Sequence, residues 1–394
     1  MTIQLLITDR NLNVLGAPLD AWTKVSCDLN FNAPASGSVT LPARPEYMEL
    51  LQPGNRLMLI RDGSIWCAGP LEAPQSYAWD LDNNTEPGTI TATWSDDLAR
   101  IAGYLTYPDP AVDFASQTTS TDVKWQRVST NAETIIRELV DANCGPSALA
   151  ARQIERLVLD DVAGVGTDRT VSTRLEPLLD ACRTAASWNR LGFRTRQVGD
   201  EIRFGVYAPA DRTTTARFSA GLGNLRSVTF ELSAPLATSE LVQGGNDPSE
   251  QAAEGDPPNV RAYVEVDSGA AADWYRVEKL QDKTGTADDS DGELTQAGTL
   301  ALGDDNPQAS LSTVTVDTPD LRAGRDYNLG DRVTVQLPTG LEIADLVQTI
   351  RLEATPDTGE LVTTVVGSSD QTTTTATVRA VRDLARRLGR LEAR

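Results

Sequence analysis

Short segments in which apolar and polar residues alternate, with tight turns between them, limit this chain to a fold built mainly of β-strands. In the clearest of them four apolar residues alternate with four polar ones: Val25, Cys27, Leu29 and Phe31 with Ser26, Asp28, Asn30 and Asn32. Successive side chains of a strand point to opposite faces, so a period of two predicts a strand with one buried face. Asp62-Gly63 lies between two further strand-like segments, and its tolerance of positive φ predicts a two-residue hairpin turn. Residues 1–108 are therefore predicted to form an N-terminal β-barrel.

The pattern becomes helical after this first unit. Thr130 and Glu133 have the spacing of a capping box at the start of a helix, and Gly145-Pro146 ends it. The apolar residues of this helix recur on one face: Ile135, Ile136, Leu139 and Val140. A second helix is predicted to start near Thr173, and a hairpin about Gly199-Asp200 follows it. Residues 109–220 are therefore predicted to form an α+β domain.

A second β unit is predicted in two pieces, residues 221–245 and 311–368. Residues 244–258 and 282–292 are rich in Gly, Pro, Asp and Ser and lack apolar periodicity, so the inserted segment 246–310 is predicted to be loop-rich. Alternation resumes with Val333, Val335 and Leu337, which indicates a second β-barrel. The predicted fold class is mainly β (α+β), with two small β-barrels, an α/β domain and an inserted segment between them, and a C-terminal helix.

Residues 369–394 are predicted to form a polar linker and a terminal helix. Val381, Leu384, Leu388 and Leu391 recur at spacings of three, four and three, the pattern of a coiled coil. Two heptads are too few to associate alone, but they could reinforce an oligomer that is held together elsewhere. The alternative is a helix that packs on its own domain or frays.

The chain contains no histidine. This excludes Ser-His-Asp and Cys-His nucleophile systems, histidine-ligated metals and imidazole acid/base chemistry. The four cysteines lie far apart without Cys-x-x-Cys spacing, so neither a zinc site nor a disulfide framework is indicated. Cys27, Cys67, Cys144 and Cys182 are therefore expected to be buried thiols.

The chain is strongly acidic, with 56 Asp and Glu residues against 35 Lys and Arg residues and a formal net charge of −21. Such a surface repels DNA phosphates and anionic lipid, and it also keeps an abundant assembly protein dissolved. The N-terminal residues lack the basic flank and apolar core of a signal peptide, and no apolar run is long enough to cross a bilayer. We expect a soluble protein that is made in a cytoplasm and does not insert into membranes.

Several short motifs resemble sites of chemistry but are better explained as turns or solvated loops. Gly164-Val165-Gly166 lacks the Gly-Lys-Ser/Thr end of a phosphate loop and the third glycine of a dinucleotide fingerprint. The acidic stretch before Gly292 is similar to a calcium loop, but Ala287 and Gly298 occupy positions that need carboxylates. Because so acidic a chain always offers carboxylate pairs, no pair indicates a glycosidase. No catalytic, cofactor-binding or metal-binding residue is predicted.

A series of short strings follows a fixed order along nearly the whole chain. The strings are residues 94–100 (WSDDLAR), 107–110 (YPDP), 132–136 (AETII), 191–193 (LGF), 223–225 (GNL), 242–245 (VQGG), Trp274-Tyr275, Glu278, Asp282 and residues 327–333 (YNLGDRV). In this combination the chain resembles the siphovirus tail-hub family, the baseplate-hub or tail-tip minor tail proteins of actinobacterial phages.

The resemblance implies that both β-barrels are tube-forming domains, which a homotrimer arranges into a pseudo-sixfold ring that extends and closes the tail tube. It implies a structural role at the tail tip of the virion and no enzymatic activity. The implied partners are the tail tube or distal tail protein and fibre or spike proteins, with genome DNA present only in transit through the lumen. Acidic side chains facing that lumen would keep DNA from adhering.

Within this family the matching residues are structural: Trp274, Tyr275, Glu278, Asp282, Gly330 and Asp331. Gly330 is expected to permit a turn before a strand, and Asp331 to cap that turn. Two alternatives come from other classes. One is a tail protein that binds host-wall carbohydrate through exposed aromatic residues, and the other is a carboxylate-based glycosidase.

Overall fold

The computed structural model of the protein describes residues 3–72, 76–80, 87–120, 123–187, 190–232, 234–245, 261–272, 274–283, 286, 289–290, 292–305 and 309–367. The first hundred residues contain β1 (Ile3–Thr8), β2 (Val14–Leu15), β3 (Lys24–Asn30), β4 (Ala33–Pro42), α1 (Pro45–Leu50), β5 (Arg56–Arg61), β6 (Ser64–Pro70), β7 (Ser76–Ala78), β8 (Thr89–Ser95) and α2 (Leu98–Ala102). Asp62 and Gly63 both have positive φ and connect β5 to β6, which confirms the predicted hairpin turn. One antiparallel sheet has the order β2-β1-β5-β6.

An α/β lobe follows. It consists of β9 (Trp125–Asn131), α3 (Ala132–Cys144), β10 (Leu157–Leu159), β11 (Asp168–Thr173), α4 (Leu178–Ser187), β12 (Gly192–Val198) and β13 (Glu201–Tyr207). Its sheets have the orders β10-β13-β12 and β11-β9. The apolar stripe of α3 packs with α4 in the core of the lobe, and the hairpin about Gly199-Asp200 is confirmed.

Both helix starts differ from the prediction. Asn131, not Thr130, caps α3, because its side-chain oxygen accepts a hydrogen bond of 2.9 Å from the Glu133 amide. Thr130 belongs to β9, where Thr130 pairs with Arg169. The second helix begins at Leu178 rather than near Thr173, because Thr173 ends β11 and the helix starts after Pro177. Strand pairing therefore determines where each helix can begin.

The last part contains β14 (Arg217–Ser219), β15 (Leu225–Leu232), β16 (Ser239–Gln243), β17 (Tyr263–Asp267), β18 (Glu278–Asp282), α5 (Glu293–Asp305), β19 (Ala309–Val316), β20 (Arg332–Gln336), β21 (Glu342–Thr355) and β22 (Gly359–Val366). A ten-stranded sheet has the order β15-β19-β22-β21-β3-β4-β8-β7, with β20 attached to β21 and β14 to β20. One face of this sheet shares a hydrophobic core with the β2-β1-β5-β6 sheet.

The fold is mainly β with few helices, as expected, but the described strands form no closed barrel. Strands from both predicted barrel units belong to the one open sheet, because β3 of the first unit pairs with β21 of the second. Each unit therefore uses an edge strand to join its neighbour.

The inserted segment has more regular structure than the expected loops. Strands in the order β17-β16-β18 form a small sheet that packs against α5, and we call residues 234–305 with these elements the inserted module. Its core is small and consists of Val242, Leu294 and Ala297. A Cβ on Gly298 would lie 2.6 Å from Val266 and 2.8 Å from Val242, so glycine is what lets α5 approach the sheet. The glycines and weak apolar periodicity of α5 hid this helix in the sequence.

Candidate assembly interface

The ten-stranded sheet contains two four-stranded units with the same internal order. Unit one consists of β3, β4, β7 and β8, and unit two of β15, β19, β21 and β22. Counted from the β7 edge, unit one has the order β7-β8-β4-β3 and unit two has the order β21-β22-β19-β15. In both units the third strand along the chain comes first, followed by the fourth, the second and the first. All neighbouring pairs on this path are antiparallel. The sheet is therefore a head-to-tail repeat of one arrangement.

The two units meet at the pairing of β3 with β21, which we call the internal seam. Six residue pairs form it, from Asn30 opposite Thr349 to Val25 opposite Ala354. Arg351 donates two hydrogen bonds to Asp28 across the seam, at 2.8 and 2.6 Å. The seam thus pairs β3, the first strand of unit one along the chain, with β21, the third strand of unit two.

Among the strands that the structure describes, the sheet ends in two open edges, β15 and β7. In the repeat, β15 corresponds to β3 and β7 corresponds to β21, so the open edges are the same kinds of strand that meet at the internal seam. Unpaired edge strands offer N–H and C=O groups to another strand. Large aromatic side chains are exposed beside β7, where Tyr77 is 56% and Trp79 48% exposed. These edges are thus suited to pairing with another strand.

The connection between the first and second strands differs between the units. In unit one it is a two-residue turn, in which Asn32 has a φ of +52°. The Asn32 side chain donates to the Leu191 carbonyl at 2.8 Å and accepts from the Phe193 amide at 2.8 Å, and its carbonyl accepts from Arg183. This turn therefore holds the α/β lobe. In unit two the same connection contains the inserted module.

Four of the family-like residues lie in the inserted module. Tyr275 is 82% exposed, and Trp274 is partly buried. Glu278 accepts a hydrogen bond of 2.7 Å from Arg276, and Asp282 accepts one of 3.0 Å from Gln243. The Gln243–Asp282 contact connects β16 to β18, and the Tyr275 ring faces solvent.

Gly330 and Asp331 lie in the main body, in the turn before β20. Gly330 has a φ of +81°, and a Cβ there would lie 2.3 Å from the Phe31 ring. The Asp331 carboxylate accepts from the amides of Asn328 at 2.9 Å and Ala210 at 2.8 Å. The turn therefore needs glycine for both its backbone and its packing, and Asp331 ties it to the segment after β13. Val381, Leu384, Leu388 and Leu391 lie outside the described residues.

The two short motifs that resemble a phosphate loop and a calcium loop make hydrogen bonds within the fold. Glu133 is buried, and its carboxylate accepts from the Ala163 amide at 2.6 Å and the Val165 amide at 2.9 Å. These two amides at the glycine-containing loop are therefore used by Glu133 and are not free to hold a phosphate. Asp289 accepts from the Thr295 amide in the first turn of α5. The described residues contain no group of three or more carboxylates or cysteines placed to hold a metal.

All four cysteines are buried free thiols, as expected. Burial raises the pKa of Cys144 to about 12, so this thiol stays protonated and unreactive. Within the described part of the chain, no helix has the length and apolar character needed to span a membrane.

A cavity of about 760 Å³ separates β6 from β12, the strands where the main body faces the α/β lobe. Asp96 lines this cavity, and one of its carboxylate oxygens is buried without a hydrogen-bond partner. Burial, with a contribution from the adjacent Asp97 charge, raises the pKa of Asp96 to about 7. Among the carboxyl groups that line this cavity, Asp96 has the most strongly shifted pKa. No pattern in the sequence predicts that Asp96 is buried.

Three solved structures with a similar fold are tail proteins. The 43 kDa tail protein of prophage MuSo2 from Shewanella oneidensis has a TM-score of 0.56 and 12% identity, over 93% of this chain and 98% of that chain. The tail protein from Neisseria meningitidis MC58 has a TM-score of 0.54 and 11% identity, over 93% and 96% of the two chains. Prophage tail protein gp18 from Listeria monocytogenes EGD-e has a TM-score of 0.54 and 10% identity, over 97% and 99%.

The chain therefore shares its fold with these tail proteins. Residues 3–368 match the sequence profile of the family described as Siphovirus ReqiPepy6 Gp37-like protein, and the chain belongs to that family. The siphovirus resemblance of its sequence strings is thereby confirmed. No curated protein sequence matched the chain.

Proposed function

We propose that the protein is a tail-tip hub, in which three copies form a ring that extends and closes the tail tube. The observation that supports this proposal is the repeated order of the two four-stranded units. A head-to-tail repeat has complementary strands at its two open edges. When one edge of each copy pairs with the opposite edge of the next, the copies form a closed ring if the rotations between them add up to a full turn. Two units per chain and three chains supply six equivalent units, the number needed to continue a hexameric tube.

The contact between copies uses the two open edges. β15 of one copy pairs antiparallel with β7 of the next, in the same way that β3 pairs with β21 at the internal seam. This pairing covers Tyr77 and Trp79, which are exposed in the single chain. Backbone hydrogen bonds supply affinity, and the aromatic side chains are of the type that dominates interface energies.

The ring has two ends and a lumen. One end contacts the tail tube or distal tail protein, and the other attaches fibre or spike proteins. The terminal helix that the sequence predicts for residues 376–394 would lead toward them as a short three-stranded bundle. Genome DNA passes through the lumen on ejection. In this proposal the protein acts as a conduit and attachment ring and has no enzymatic activity.

The test is negative-stain electron microscopy of the purified protein, together with its mass in solution at several concentrations. A ring with a central hole and three times the 42.4 kDa chain mass is the expected result. Hubs of this kind can also assemble only on the tube, so a monomer is next mixed with purified tail tubes. A chain that stays monomeric and does not cap the tubes contradicts the proposal.

A second candidate is recognition of host-wall carbohydrate by the inserted module. The observation that favours it is the exposure of two aromatic rings, Tyr275 at 82% and Tyr263 at 66%. Exposed aromatic rings can stack on sugar faces. Saturable binding on a glycan array, lost in a Tyr263→Ala/Tyr275→Ala variant, would support this function, and the absence of saturable binding would exclude it for the glycans tested.

A further inference from the structure

The small sheet of the inserted module has one face that is turned away from α5, which we call the module face. Val242 and Val264 pack on the other side of the sheet, against Leu294 and Ala297 of α5. Paired residues of neighbouring strands share a side, so the residues at alternate positions lie on the module face. Those of β17 and β18 are all exposed: Tyr263, Glu265, Asp267, Glu278, Leu280 and Asp282.

The centre of the module face is apolar. Leu241 of β16 is directly opposite Leu280 of β18, and Tyr263 of β17 is the diagonal neighbour of Leu241. Leu280 is 63% and Tyr263 66% exposed. We call these three residues the apolar strip. It crosses all three strands, a width of about 10 Å.

Carboxylates surround the apolar strip. Arg276 binds Glu278 at 2.7 Å, Glu265 at 2.5 Å and Asp267 at 3.8 Å, and Asp282 lies 3.9 Å from Arg261. Four carboxylates against two guanidinium groups leave the face acidic. The whole inserted module is acidic as well, because residues 234–305 contain 16 acidic and 4 basic residues, a formal charge of −12. The module face therefore favours a basic partner and disfavours a second copy of itself.

The basic partner with a matching pattern is the C-terminal segment of this chain. Residues 376–394 contain six arginines and two acidic residues, a formal charge of +4. On the helix that the sequence predicts there, the apolar seam from Val381 to Leu391 is about 15 Å long. Arg387 and Arg394 occupy the heptad positions beside that seam. An apolar seam bordered by arginines complements an apolar strip bordered by carboxylates.

The C-terminal segment starts close enough to reach the module face of its own chain. Gly367 lies against Leu311, because a Cβ on Gly367 would be 2.4 Å from the Leu311 carbonyl oxygen. Leu311 is six residues from Asp305, a separation of at most about 20 Å. Asp305 accepts a hydrogen bond of 2.6 Å from Lys279 of β18. The residues from Gly367 to Ala376 extend up to about 30 Å, which covers the distance to the small sheet.

We infer that in the single chain the C-terminal segment folds back onto the module face, with its seam on the apolar strip and its arginines beside the carboxylates. This inference rests on the proposed function, because the three-stranded bundle of the ring uses the same seam. One seam cannot pack in both places, so the fold-back holds the segment until three copies meet. Tyr263 is then covered in the single chain and exposed in the ring.

The first test is the rate at which trypsin cleaves the C-terminal segment after its arginines. It is measured by mass spectrometry at concentrations where the protein has the mass of one chain, and Tyr77→Ala supplies single chains if wild type is trimeric throughout. Cleavage follows the population in which the segment is released. Leu280→Asp places a charge in the apolar strip and should speed cleavage about tenfold.

A matched control is Val162→Asp, which changes a 68% exposed aliphatic residue outside the inserted module and should leave the cleavage rate unchanged. High salt weakens the attraction between exposed charges, so wild type should be cleaved faster at about 1 M than at about 0.1 M salt. Equal cleavage of wild type and Leu280→Asp would overturn the inference.

Photo-crosslinking gives the position of the segment. A chain with Leu388→p-benzoylphenylalanine should crosslink to residues 263–267 or 278–282 of the same chain, with a yield that does not depend on protein concentration. Crosslinks to other parts of the chain, or to a second copy with a yield that rises with concentration, would contradict the fold-back.

Electron microscopy of virions separates this inference from the proposed function. If the three-copy ring is present but the segment of the single chain is cleaved equally fast in wild type and Leu280→Asp, only the fold-back fails. If the segment is protected in the single chain but virions contain no such ring, the proposed function fails and the contact on the module face stands.

Discussion

Arg56 and Asp97 are joined by two parallel hydrogen bonds of 2.7 Å, and their side chains are only 4% and 3% exposed. Arg56 begins β5 in the main body, whereas Asp97 precedes α2, whose Leu98 and Ile101 belong to the core of the α/β lobe. The ion pair therefore joins the two parts of the molecule. Asp97 also lies 3.7 Å from Arg100, whereas the buried Arg56 charge is compensated by Asp97.

Asp97→Asn should strongly destabilise the protein, because it leaves the Arg56 charge buried without its partner. Removal of one member of a buried pair typically lowers the free energy of unfolding by about 3–5 kcal/mol. Urea denaturation of wild type and variant measures the loss. Asp200→Asn, in the exposed Arg156–Asp200 pair, should leave stability within the scatter of the measurement. A small loss for Asp97→Asn would show that another group compensates Arg56.

The stability should fall as the pH rises from about 4 to about 7, in part because of Asp96. Burial raises the pKa of Asp96 from 3.8 to about 7, so in this range the folded protein holds a proton that the unfolded chain has released. Each pH unit of that range lowers the free energy of unfolding by at most about 1.4 kcal/mol. The favourable contribution of the neutral carboxyl group is complete below pH 4 and lost above pH 7.

Asp96→Asn isolates this effect, because its side chain stays neutral at every pH. Urea denaturation at several pH values should show a shallower decline for the variant than for wild type. The comparison is needed because burial, with a hydrogen bond to Asp305, also raises the pKa of Glu240, to about 6, and that contribution is present in both proteins. Equal slopes in the two proteins would mean that Asp96 ionises normally in the folded state.

Gly37→Ala should destabilise the main body, because the Trp94 ring occupies the space of the new side chain. A Cβ at Gly37 would lie 2.2 Å from the ring, and Gly37 is directly opposite Trp94 in the β4–β8 ladder. Overpacking of this kind costs about 1–3 kcal/mol. Gly221→Ala is the control, since its nearest atom is 3.8 Å away. Thermal melting of both variants measures the difference, and equal melting temperatures would contradict the packing argument.

Tyr77→Ala should weaken association of the copies without unfolding the chain, because Tyr77 is exposed at the β7 edge. Loss of an aromatic side chain from an interface commonly lowers affinity by about tenfold, or about 1.4 kcal/mol. Analytical ultracentrifugation over a range of concentrations measures the change. Phe114→Ala removes a similarly exposed ring, 63% exposed, from the segment between α2 and β9, which is not part of the ten-stranded sheet, and should leave association unchanged. Equal behaviour of the two variants would place the interface elsewhere.

Leu384→Asp/Leu388→Asp should weaken the ring or its attachment to fibre proteins, because it places charges on the predicted coiled-coil seam. The mass of the variant in solution and its content of fibre protein in virions are the measurements. An assembly like wild type would favour the alternative of a terminal helix that frays or packs alone.

Local patterns in the sequence predicted the elements better than their partners. The alternation from Val25 to Phe31 and the turns at Asp62-Gly63 and Gly199-Asp200 are local signals, and the strands and hairpins formed there. The internal seam pairs Val25 with Ala354, and no local pattern encodes a contact across that sequence separation. The two units were therefore predicted as separate barrels, and the open edges β15 and β7 could not be predicted.

Some local features were also hidden by competing signals. Thr130 fits the capping-box spacing better than Asn131, but β9 extends to residue 131 and leaves only Asn131 free to cap. Gly298 lowers the helix propensity of α5, although close packing against Val242 and Val266 requires it. In both cases tertiary contacts outweighed the local preference.

The unequal turns of the two units have a consequence for how the ring meets its neighbours. In an assembly of three chains, six β units alternate between those whose turn holds the α/β lobe through Asn32 and those whose turn has grown into the inserted module. In the proposed ring the sheet framework would repeat every 60°, whereas the attached modules would repeat every 120°. Such a ring would match a partner with sixfold symmetry through its strands and a partner with threefold symmetry through its modules, with no additional adaptor chain between them.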